Sequence, residues 1–259
     1  MAGTALPPAD LLPVGRRANF PYRAVRLVAL PLLSLFFRFQ VEGQANIPRF
    51  PSTLRGAISK STSSSPLRAQ GQGEGLKPAT TYIVIANHLN WLDEFALLML
   101  FPVEPRLHFL ADPTGLVKRR FQWWLIRTTG GYVPVVRERH GDTALYQHVD
   151  RCLAVGGAVA IFPEGNYGPN EGELMPFKKG FAHFAIKAGV PVVPVALSGT
   201  KDLWLRKPIR VIIGEPISTA GQDPASLTQL AFETVGRLLP PYTEPKGRQL
   251  LRSWLTHLF

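Results

Sequence analysis

The stretch NHLNWLDE, residues 87–94, places a histidine and an aspartate five positions apart. A carboxylate beside an imidazole fixes the tautomer of the ring and stabilises its protonated form, so such a pair can act as a general base. On one continuous helix, residues five apart point about 140° away from each other. A chain that bends after His88 would let Asp93 reach back to the imidazole. Spacing alone therefore leaves a catalytic pair open.

The same residues also fit the ordinary start of a helix. Asn90 is a good N-cap residue, and Asp93 follows it by three positions, as in a capping box. This interpretation explains Asp93 fully and leaves His88 without a role. In one interpretation the Asp93 carboxylate contacts the imidazole, and in the other it bonds to the amide at the start of the helix. The local sequence does not choose between them.

A second polar stretch, IFPEGNYGP at residues 161–169, follows a predicted strand. The strand stops at Pro163, and Glu164, Gly165 and Asn166 form a sharp turn. Gly165 lets a ligand approach the backbone closely, and the amides of such a turn can point at an oxyanion or a phosphate. A solvated loop is the alternative interpretation.

Three cations lie near these polar stretches in the sequence pattern. Arg137 leaves the predicted strand GYVPVV, and its planar guanidinium suits bidentate binding of phosphate. Lys178 and Lys179 precede a predicted helix and can add positive charge beside a site. Each of the three also fits an ordinary solvated position on the surface.

Beyond residue 80, short apolar runs alternate with helical patterns. The predicted strands are 81–86, 107–111, 131–136, 157–162, 191–197 and 209–213. The predicted helices are 91–101, 117–128, 142–155, 178–188, 224–239 and 246–258. This alternation predicts one α/β domain with a mostly parallel or mixed sheet flanked by helices. Active sites in such sheets gather on the loops that leave the carboxyl ends of the strands.

The charge balance indicates an anionic partner. Of 259 residues, 46% are hydrophobic and 18% are charged, and the formal net charge is +11. The basic residues are dispersed among Phe, Trp and Leu and form no dense stripe, which argues against nucleic acid as the partner. A membrane surface with anionic lipids, or a phosphorylated ligand, fits this pattern better.

The strongest apolar run is residues 20–40. Its uncharged part, 27–37, would be a helix about 16 Å long, whereas a bilayer core needs about 30 Å. We therefore expect an amphipathic helix in the membrane interface, with Arg26 and Arg38 reaching phosphate headgroups. A buried core helix is the alternative.

Three regions follow from these patterns. Residues 1–47 are predicted to be an N-terminal membrane-associating segment. Residues 48–80 are rich in Ser, Gly, Pro and Gln, and we interpret them as a flexible insertion, because such a composition buries too little apolar area to offset its ordering entropy. Residues 81–259 are predicted to be the catalytic domain.

The blocks NHLNWLD, YVPVVR, FPEGN and VPVVP, in this order, resemble those of the lysophosphatidate acyltransferase family of glycerolipid synthesis. The resemblance covers roughly residues 80–215, and the N-terminal segment looks like the membrane anchor of that family. In the family, the histidine and aspartate of the first block are catalytic, which implies these roles for His88 and Asp93. The resemblance further implies an acceptor site shaped by Arg137, Glu164 and Gly165.

The third block departs from the family pattern. Many members continue it as Glu-Gly-Thr-Arg-Ser, whereas this chain reads EGNYG at 164–168. With that arginine replaced, Arg137, Lys178 or Lys179 would bind the phosphate of lysophosphatidate. Otherwise the acceptor is another lysolipid, glycerol 3-phosphate or a lipid alcohol.

The resemblance implies transfer of a fatty acyl group from an acyl thioester, either acyl-CoA or acyl-carrier protein, with neither a metal nor a resident cofactor. No serine or cysteine lies in a Gly-x-Ser-x-Gly elbow, so we expect direct transfer without an acyl-enzyme. Since acyl thioesters are cytoplasmic, the protein is expected on the cytoplasmic face of the cell membrane, as a peripheral or monotopic protein.

Two other functions are open on the residues alone. A metal-dependent hydrolase could use His88, Asp93 and Glu164 as ligands, although no closely spaced histidine pair starts such a site. A non-catalytic protein of the membrane surface would explain the charge and the apolar helix but not the His–Asp pair. The single cysteine, Cys152, excludes an intrachain disulfide and is interpreted as a core residue.

Overall fold

The computed structural model describes residues 14–48, 81–111, 120–134 and 143–258. In these ranges the chain forms one seven-stranded sheet covered by helices. The strands are β1 Phe37–Glu42, β2 Ile83–Ala86, β3 Leu107–Ala111, β4 Tyr132–Pro134, β5 Ala158–Ile161, β6 Val192–Ser198 and β7 Lys207–Ile213. The helices are α1 Phe20–Phe36, α2 Leu92–Leu100, α3 Arg120–Thr129, α4 Thr143–Ala154, α5 Gly180–Ala188, α6 Pro224–Leu238 and α7 Arg252–Thr256.

The strand order across the sheet is β1-β7-β6-β2-β5-β3-β4. The five strands from β6 to β4 run parallel to one another. Strand β7 pairs antiparallel with β6, and β1 pairs parallel with β7, so the sheet is mixed. The predicted α/β domain with a mixed sheet flanked by helices is confirmed.

Hydrophobic cores cover both faces of the sheet, which explains why β2 is a continuous apolar run. Val84 and Ala86 point into the core that contains α1, α2 and α7, and we call this side the α1 face. Ile83 and Ile85 point into the core that contains α4, α5 and α6, which we call the α5 face. Successive side chains of a strand alternate between the two faces.

The strand β1 was not predicted. Its residues were assigned to the N-terminal segment 1–47, outside the catalytic domain, but they pair with β7 from Phe37–Lys207 to Glu42–Ile212. That boundary therefore does not hold for residues 37–42, which belong to the sheet. The strand was missed because it directly follows a long apolar run. The periodicity changes from helical to strand at Phe37, whose side chain is buried.

The last predicted helix, 246–258, is much shorter in the structure. Gly247 has a φ of 139° and Leu251 a φ of 61°, so neither residue can continue an α-helix. Helix α7 therefore begins only at Arg252. The predicted helices 117–128 and 142–155 and the strand 131–136 match α3, α4 and β4 to within one residue where they are described, and 117–119, 135–136 and 142 lie outside the described ranges.

Helix α1 begins at a side-chain cap. The Asn19 side chain accepts a hydrogen bond of 2.9 Å from the amide of Tyr22, which satisfies one of the free amides of the first turn. Tyr22 and Leu33 are buried against the sheet. Among the described residues, no helix combines the length and the apolar character needed to cross a membrane.

Arg26 does not point outward, as the expected contact with headgroups would require. Its guanidinium donates hydrogen bonds to the carbonyls of Leu98, at 2.8 Å, and Met99, at 2.7 Å. These carbonyls belong to the last turn of α2, where a cation is stabilised by the helix dipole. Arg26 thus attaches α1 to α2, whereas Arg38 is exposed. The predicted insertion at 48–80 lies outside the described residues, apart from Pro48.

Candidate active site

His88 and Glu164 lie where two neighbouring parallel strands end. Ile85 of β2 pairs with Ile161 of β5. His88 follows Ile85 by three positions, and Glu164 follows Ile161 by three positions. Since the strands run parallel, both side chains come to the same edge of the sheet, where the loops of α/β domains form their sites.

Asn87 fixes the end of β2 against the strand on its other side. Its side-chain amide donates to the carbonyl of Leu197 at 2.9 Å, and its side-chain oxygen accepts from the amide of Leu197 at 2.7 Å. The side chain therefore continues the hydrogen-bonding pattern that β2 makes with β6. This pairing holds the backbone at the position from which His88 leaves the sheet.

Asp93 contacts both the imidazole and the amides that precede α2. One carboxylate oxygen, Oδ2, lies 3.0 Å from Nδ1 of His88. The same oxygen accepts hydrogen bonds from the amides of Leu89, at 2.5 Å, and Asn90, at 2.9 Å. The chain bends between His88 and α2, so the carboxylate that satisfies the amides before the helix also reaches the imidazole. Asp93 has no solvent exposure.

Only half of the predicted capping box is present. The Asp93 carboxylate accepts from the amide of Asn90, but the Asn90 side-chain oxygen accepts from the amide of Trp91, at 2.7 Å, and not from that of Asp93. The Asn90 side-chain amide group donates to the carbonyls of Lys201, at 2.8 Å, and Thr256, at 3.3 Å. Asn90 thus connects the turn after His88 to two distant parts of the chain.

Two aromatic rings enclose the His88 imidazole. The ring of Phe162 stacks on it with a centroid distance of 3.9 Å and an interplanar angle of 13°. The ring of Tyr167 lies 4.3 Å away, tilted by 53°. These contacts leave 13% of the His88 side chain exposed. The second ring nitrogen, Nε2, lies 3.5 Å from Oε1 of Glu94.

The protonation of His88 is set by competing effects. Burial acts to lower its pKa, but the carboxylates of Glu94 and Asp93 act in the opposite direction, and the pKa of His88 is raised above its ordinary value. With Nδ1 held by Asp93, Nε2 is the nitrogen that can exchange a proton with a substrate.

Two further carboxyl groups beside His88 have strongly shifted pKa values. Burial raises the pKa of Glu94 to about 7, although the nearby imidazole acts to lower it. Burial also raises the pKa of Glu164 to about 7, against the same effect of His88. Raised carboxyl pKa values of this kind concentrate at functional sites.

The turn after β5 brings Lys178 to the site. Gly165 has a φ of 76°, and a side chain at this position would come within 2.5 Å of the Lys178 Nζ. The ammonium group of Lys178 therefore packs against the turn that follows Glu164. The amide of Gly165 already donates to the carbonyl of Phe162 at 3.0 Å, so this amide is not directed at a ligand. Asn166 is exposed in the same turn.

Of the other two predicted cations, the structure describes only Lys179. Lys179 precedes α5, its side chain is exposed, and its carbonyl accepts hydrogen bonds from the amides of Ala182 and His183. In the part of the chain that the structure describes, no contact joins its side chain to His88 or Glu164. Arg137 lies outside the described residues.

A chain of hydrogen bonds holds the loop that carries Tyr167. The amide of Gly168 donates to the carbonyl of His88 at 2.6 Å, and the Lys201 ammonium donates to the carbonyl of Gly168 at 2.6 Å. The carboxylate of Glu171 accepts from the amides of Gly199, at 2.7 Å, and Lys201, at 3.0 Å. This loop is therefore fixed on both sides of the Tyr167 ring.

A protein-family model described as Acyltransferase matches residues 38–198. This chain belongs to the acyltransferase family. The match begins inside β1 and ends at the last residue of β6, so it includes both strand ends that form the site.

Curated relatives are similar over part of their length. The chain is 27% identical over 184 residues to human 1-acyl-sn-glycerol-3-phosphate acyltransferase alpha, which covers 64% of this chain and 60% of the relative. It is 29% identical over 154 residues to 1-acyl-sn-glycerol-3-phosphate acyltransferase of Limnanthes douglasii, which covers 56% of this chain and 50% of that protein. The chain thus spans about half to three fifths of the length of these relatives.

A solved structure has the same fold. The crystal structure of the 1-acyl-sn-glycerophosphate acyltransferase PlsC from Thermotoga maritima matches with a TM-score of 0.61 at 23% identity, over 86% of this chain and 81% of that one. At this level of identity the likeness extends to the fold alone.

Three side chains at the site of this acyltransferase-family chain were missed from the sequence. Phe162 was predicted as the end of a strand, and Tyr167 was placed in the polar stretch after it without a role of its own. Glu94 fitted the first turn of a helix, where acidic residues are common. No local pattern distinguishes these residues from structural ones, because their contacts with His88 depend on how separate loops meet. Among the described residues, no group of three or more His, Cys, Asp and Glu is arranged to hold a metal ion.

Proposed function

We propose that this protein transfers a fatty acyl group from an acyl thioester, acyl-CoA or acyl-carrier protein, to the hydroxyl of lysophosphatidate, and so produces phosphatidate. The observation that carries this proposal is the placement of His88, with Nδ1 3.0 Å from Asp93 and Nε2 available to a substrate. Membership of the acyltransferase family and the printed activities of the curated relatives support the same reaction.

In the proposed reaction, His88 Nε2 accepts the proton of the acceptor hydroxyl, whose oxygen attacks the carbonyl carbon of the thioester. Asp93 stabilises the imidazolium that forms. Collapse of the tetrahedral intermediate breaks the C–S bond, and the leaving thiolate takes the proton back from Nε2. Each turnover therefore forms one ester, breaks one thioester and returns His88 to its neutral state.

Direct transfer is supported by the location of the cysteine. Cys152 has no solvent exposure and lies in the core of the α5 face, and burial raises the pKa of its thiol to about 12. A buried thiol with such a pKa is a poor nucleophile. We therefore propose that no acyl-enzyme forms, and trapping of a covalent acyl-protein during turnover would contradict this.

Lys178 is the described residue best placed to bind an anion at the site, because its ammonium packs against the Gly165 turn. This position lets it bind the phosphate of lysophosphatidate or stabilise the developing oxyanion. We propose further anion contacts from Lys179 and Arg137, and acceptor contacts from Glu164 and Asn166. Since the turn lacks the arginine of many family members, another lysolipid, glycerol 3-phosphate or a lipid alcohol is the alternative acceptor.

We further propose that the protein acts at the surface of the cell membrane, on its cytoplasmic face. The outer surface of α1 supports this, because Leu27 and Val28 are 77% and 62% exposed and Leu35 is 64% exposed. A helix whose outer face is apolar is unfavourable in water and favourable in a lipid interface. The alternative of a non-catalytic membrane-surface protein shares this feature and lacks a use for His88 and Asp93.

An acceptor panel tests the proposed reaction. Purified protein would be mixed with radiolabelled acyl-CoA or acyl-carrier protein and with lysophosphatidate, other lysophospholipids, glycerol 3-phosphate or a long-chain alcohol. We expect phosphatidate from lysophosphatidate. Label in another product would identify the alternative acceptor, and no transfer to any acceptor from either donor would contradict the proposed function.

A further inference from the structure

The C-terminal part of the chain exposes a compact set of large apolar side chains. Leu250 and Leu251 are 51% and 52% exposed just before α7, and Trp254 is 53% exposed on α7 itself. Leu258, after the helix, is also exposed. Single exposed apolar residues are ordinary, but several within nine consecutive positions form a patch that requires an explanation.

This patch is continuous with the apolar outer surface of α1. The rings of Phe36, at the end of α1, and Trp254 lie 6.5 Å apart. Arg206 connects the two regions, because its guanidinium donates to the carbonyls of Ser34 and Leu35 near the end of α1. The neighbouring residue, Leu205, donates its amide to the carbonyl of Leu250 at 3.0 Å.

We propose that Leu250, Leu251 and Trp254 form a second lipid-contacting element, which together with the outer face of α1 places the protein on an anionic bilayer surface. The inference rests on the proposed membrane location of the enzyme and names a part of the chain that the amphipathic N-terminal segment does not include. We call this element the C-terminal lipid patch.

The charges around the C-terminal lipid patch fit an anionic lipid surface. Arg206, Lys246 and Arg248 are all exposed close to it in the chain or in space. Basic side chains beside exposed Leu and Trp are the combination that interfacial proteins use, because the cations bind headgroups while the apolar groups enter the acyl boundary. Arg252 contributes less, since it already pairs with Asp202 at 2.8 Å and Glu244 at 3.2 Å.

The local backbone turns the patch outward. Leu251 has a φ of 61°, a left-handed conformation that is uncommon for a residue with a side chain. This turn starts α7 so that Leu255 enters the core of the α1 face while Trp254 remains outside. The inner side of α7 thus fixes the helix to the domain and leaves its outer side for lipid.

The inner side of α7 also contacts the turn that follows His88. The indole nitrogen of Trp91 donates to the carbonyl of Leu255 at 2.9 Å, and the Asn90 side chain donates to the carbonyl of Thr256 at 3.3 Å. Lipid bound to the outer side of α7 would therefore lie one layer of side chains from the catalytic turn. This arrangement would orient the site toward an acceptor that is embedded in the bilayer.

The test is vesicle binding by the double variant Leu251→Ser with Trp254→Ser. Vesicles of phosphatidylcholine with phosphatidylglycerol would be titrated and sedimented with the wild type, this variant and Val155→Ser. Val155 is an exposed apolar residue that directly follows α4, on the opposite face of the sheet. We expect the partition coefficient of the double variant to fall by about tenfold or more, and that of Val155→Ser to be unchanged.

Two additional measurements separate the possible outcomes. Circular dichroism melting shows whether the double variant is folded, and Trp254→Ser alone replaces it if it is not. Activity on vesicle-embedded lysolipid should fall in parallel with binding, whereas turnover of a short-chain, water-soluble acceptor should be retained.

If the folded double variant binds vesicles as tightly as the wild type, the proposal of a C-terminal lipid patch is wrong, even if acyl transfer is normal. A variant that binds vesicles normally but changes from dimer to monomer would instead show an interface between two copies of the chain, which also overturns it. If the wild type binds vesicles through the patch but transfers no acyl group to any acceptor, the proposed function fails and the patch stands.

Discussion

His88, which is largely buried, and His108, which is fully buried, are associated with the same sheet and have opposite surroundings. His88 lies just beyond β2, with Asp93 on one ring nitrogen and Glu94 near the other. His108 lies inside β3, where Nε2 is 3.0 Å from a guanidinium nitrogen of Arg106 and Nδ1 is 3.1 Å from the carbonyl of Ala158. The first ring thus faces two carboxylates, and the second faces a cation and a backbone carbonyl.

The neighbours decide the protonation of each ring. Burial acts to lower the pKa of both histidines. At His108 the charge of Arg106 adds to this effect, and the pKa falls to about 4. At His88 the carboxylates of Glu94 and Asp93 outweigh burial, and the pKa is raised. His108 is therefore a neutral acceptor for Arg106 at physiological pH, whereas His88 can take up and release a proton.

The comparison distinguishes the histidine proposed as the general base from a structural histidine. Both nitrogens of His108 are occupied by protein groups, and the ring has no solvent exposure. At His88 only Nδ1 is within hydrogen-bonding distance of a protein group, since Glu94 is 3.5 Å from Nε2. Its position at the carboxyl end of β2, beside β5, adds access from the loops.

The largest expected effect comes from His88→Ala. Loss of a general base should reduce the rate of acyl transfer by about 10²- to 10⁴-fold, with a small change in thermal stability. Steady-state kinetics with a radiolabelled donor measures the rate, and calorimetry measures the stability. His183→Ala, at an exposed position of α5, is the matched control and should behave as the wild type. Activity of His88→Ala at the wild-type rate would refute the assignment.

The corresponding change on the other side of the comparison is His108→Ala. It should lower the free energy of unfolding by about 2–4 kcal/mol, because it opens a cavity and removes the acceptor of the buried Arg106 guanidinium. Urea denaturation measures this change. Activity per folded molecule should stay near the wild-type value. A folded, stable His108→Ala protein without activity would show that His108 takes part in the reaction.

The smallest effect is expected for Glu94→Gln, which makes His88 more like His108 by removing one carboxylate. His88 must be neutral to accept a proton, so activity is lost as the pH falls through its raised pKa. Since the Glu94 charge contributes to raising that pKa, its removal should move the acid limb of the kcat/KM profile to lower pH. Glu233→Gln, an exposed change on α6, should leave the limb in place. An unshifted limb in Glu94→Gln would show that this carboxylate does not act on His88.

Local patterns predicted most of the sheet and its order of helices and strands. The apolar run of β2 and the polar residues after it are visible in the sequence because burial on both faces requires continuous hydrophobicity. The strand β1 was missed, since its pairing with β7 depends on residues that are distant in the chain. The length of α7 was wrong for a related reason, because the left-handed turn at Leu251 has no signal in its residue type.

The sequence by itself determined the residue types and the order of the blocks, and therefore the family and the two candidates for the reaction, His88 and Asp93. Only the tertiary structure decided that one oxygen of Asp93 contacts both the amide of Asn90 before α2 and the imidazole of His88. It also decided that Phe162, Tyr167 and Glu94 surround the imidazole ring. The physical reason is that charge, burial and stacking act through space at a few ångströms. The residues that produce them come from separate loops, which meet only when the strands pair.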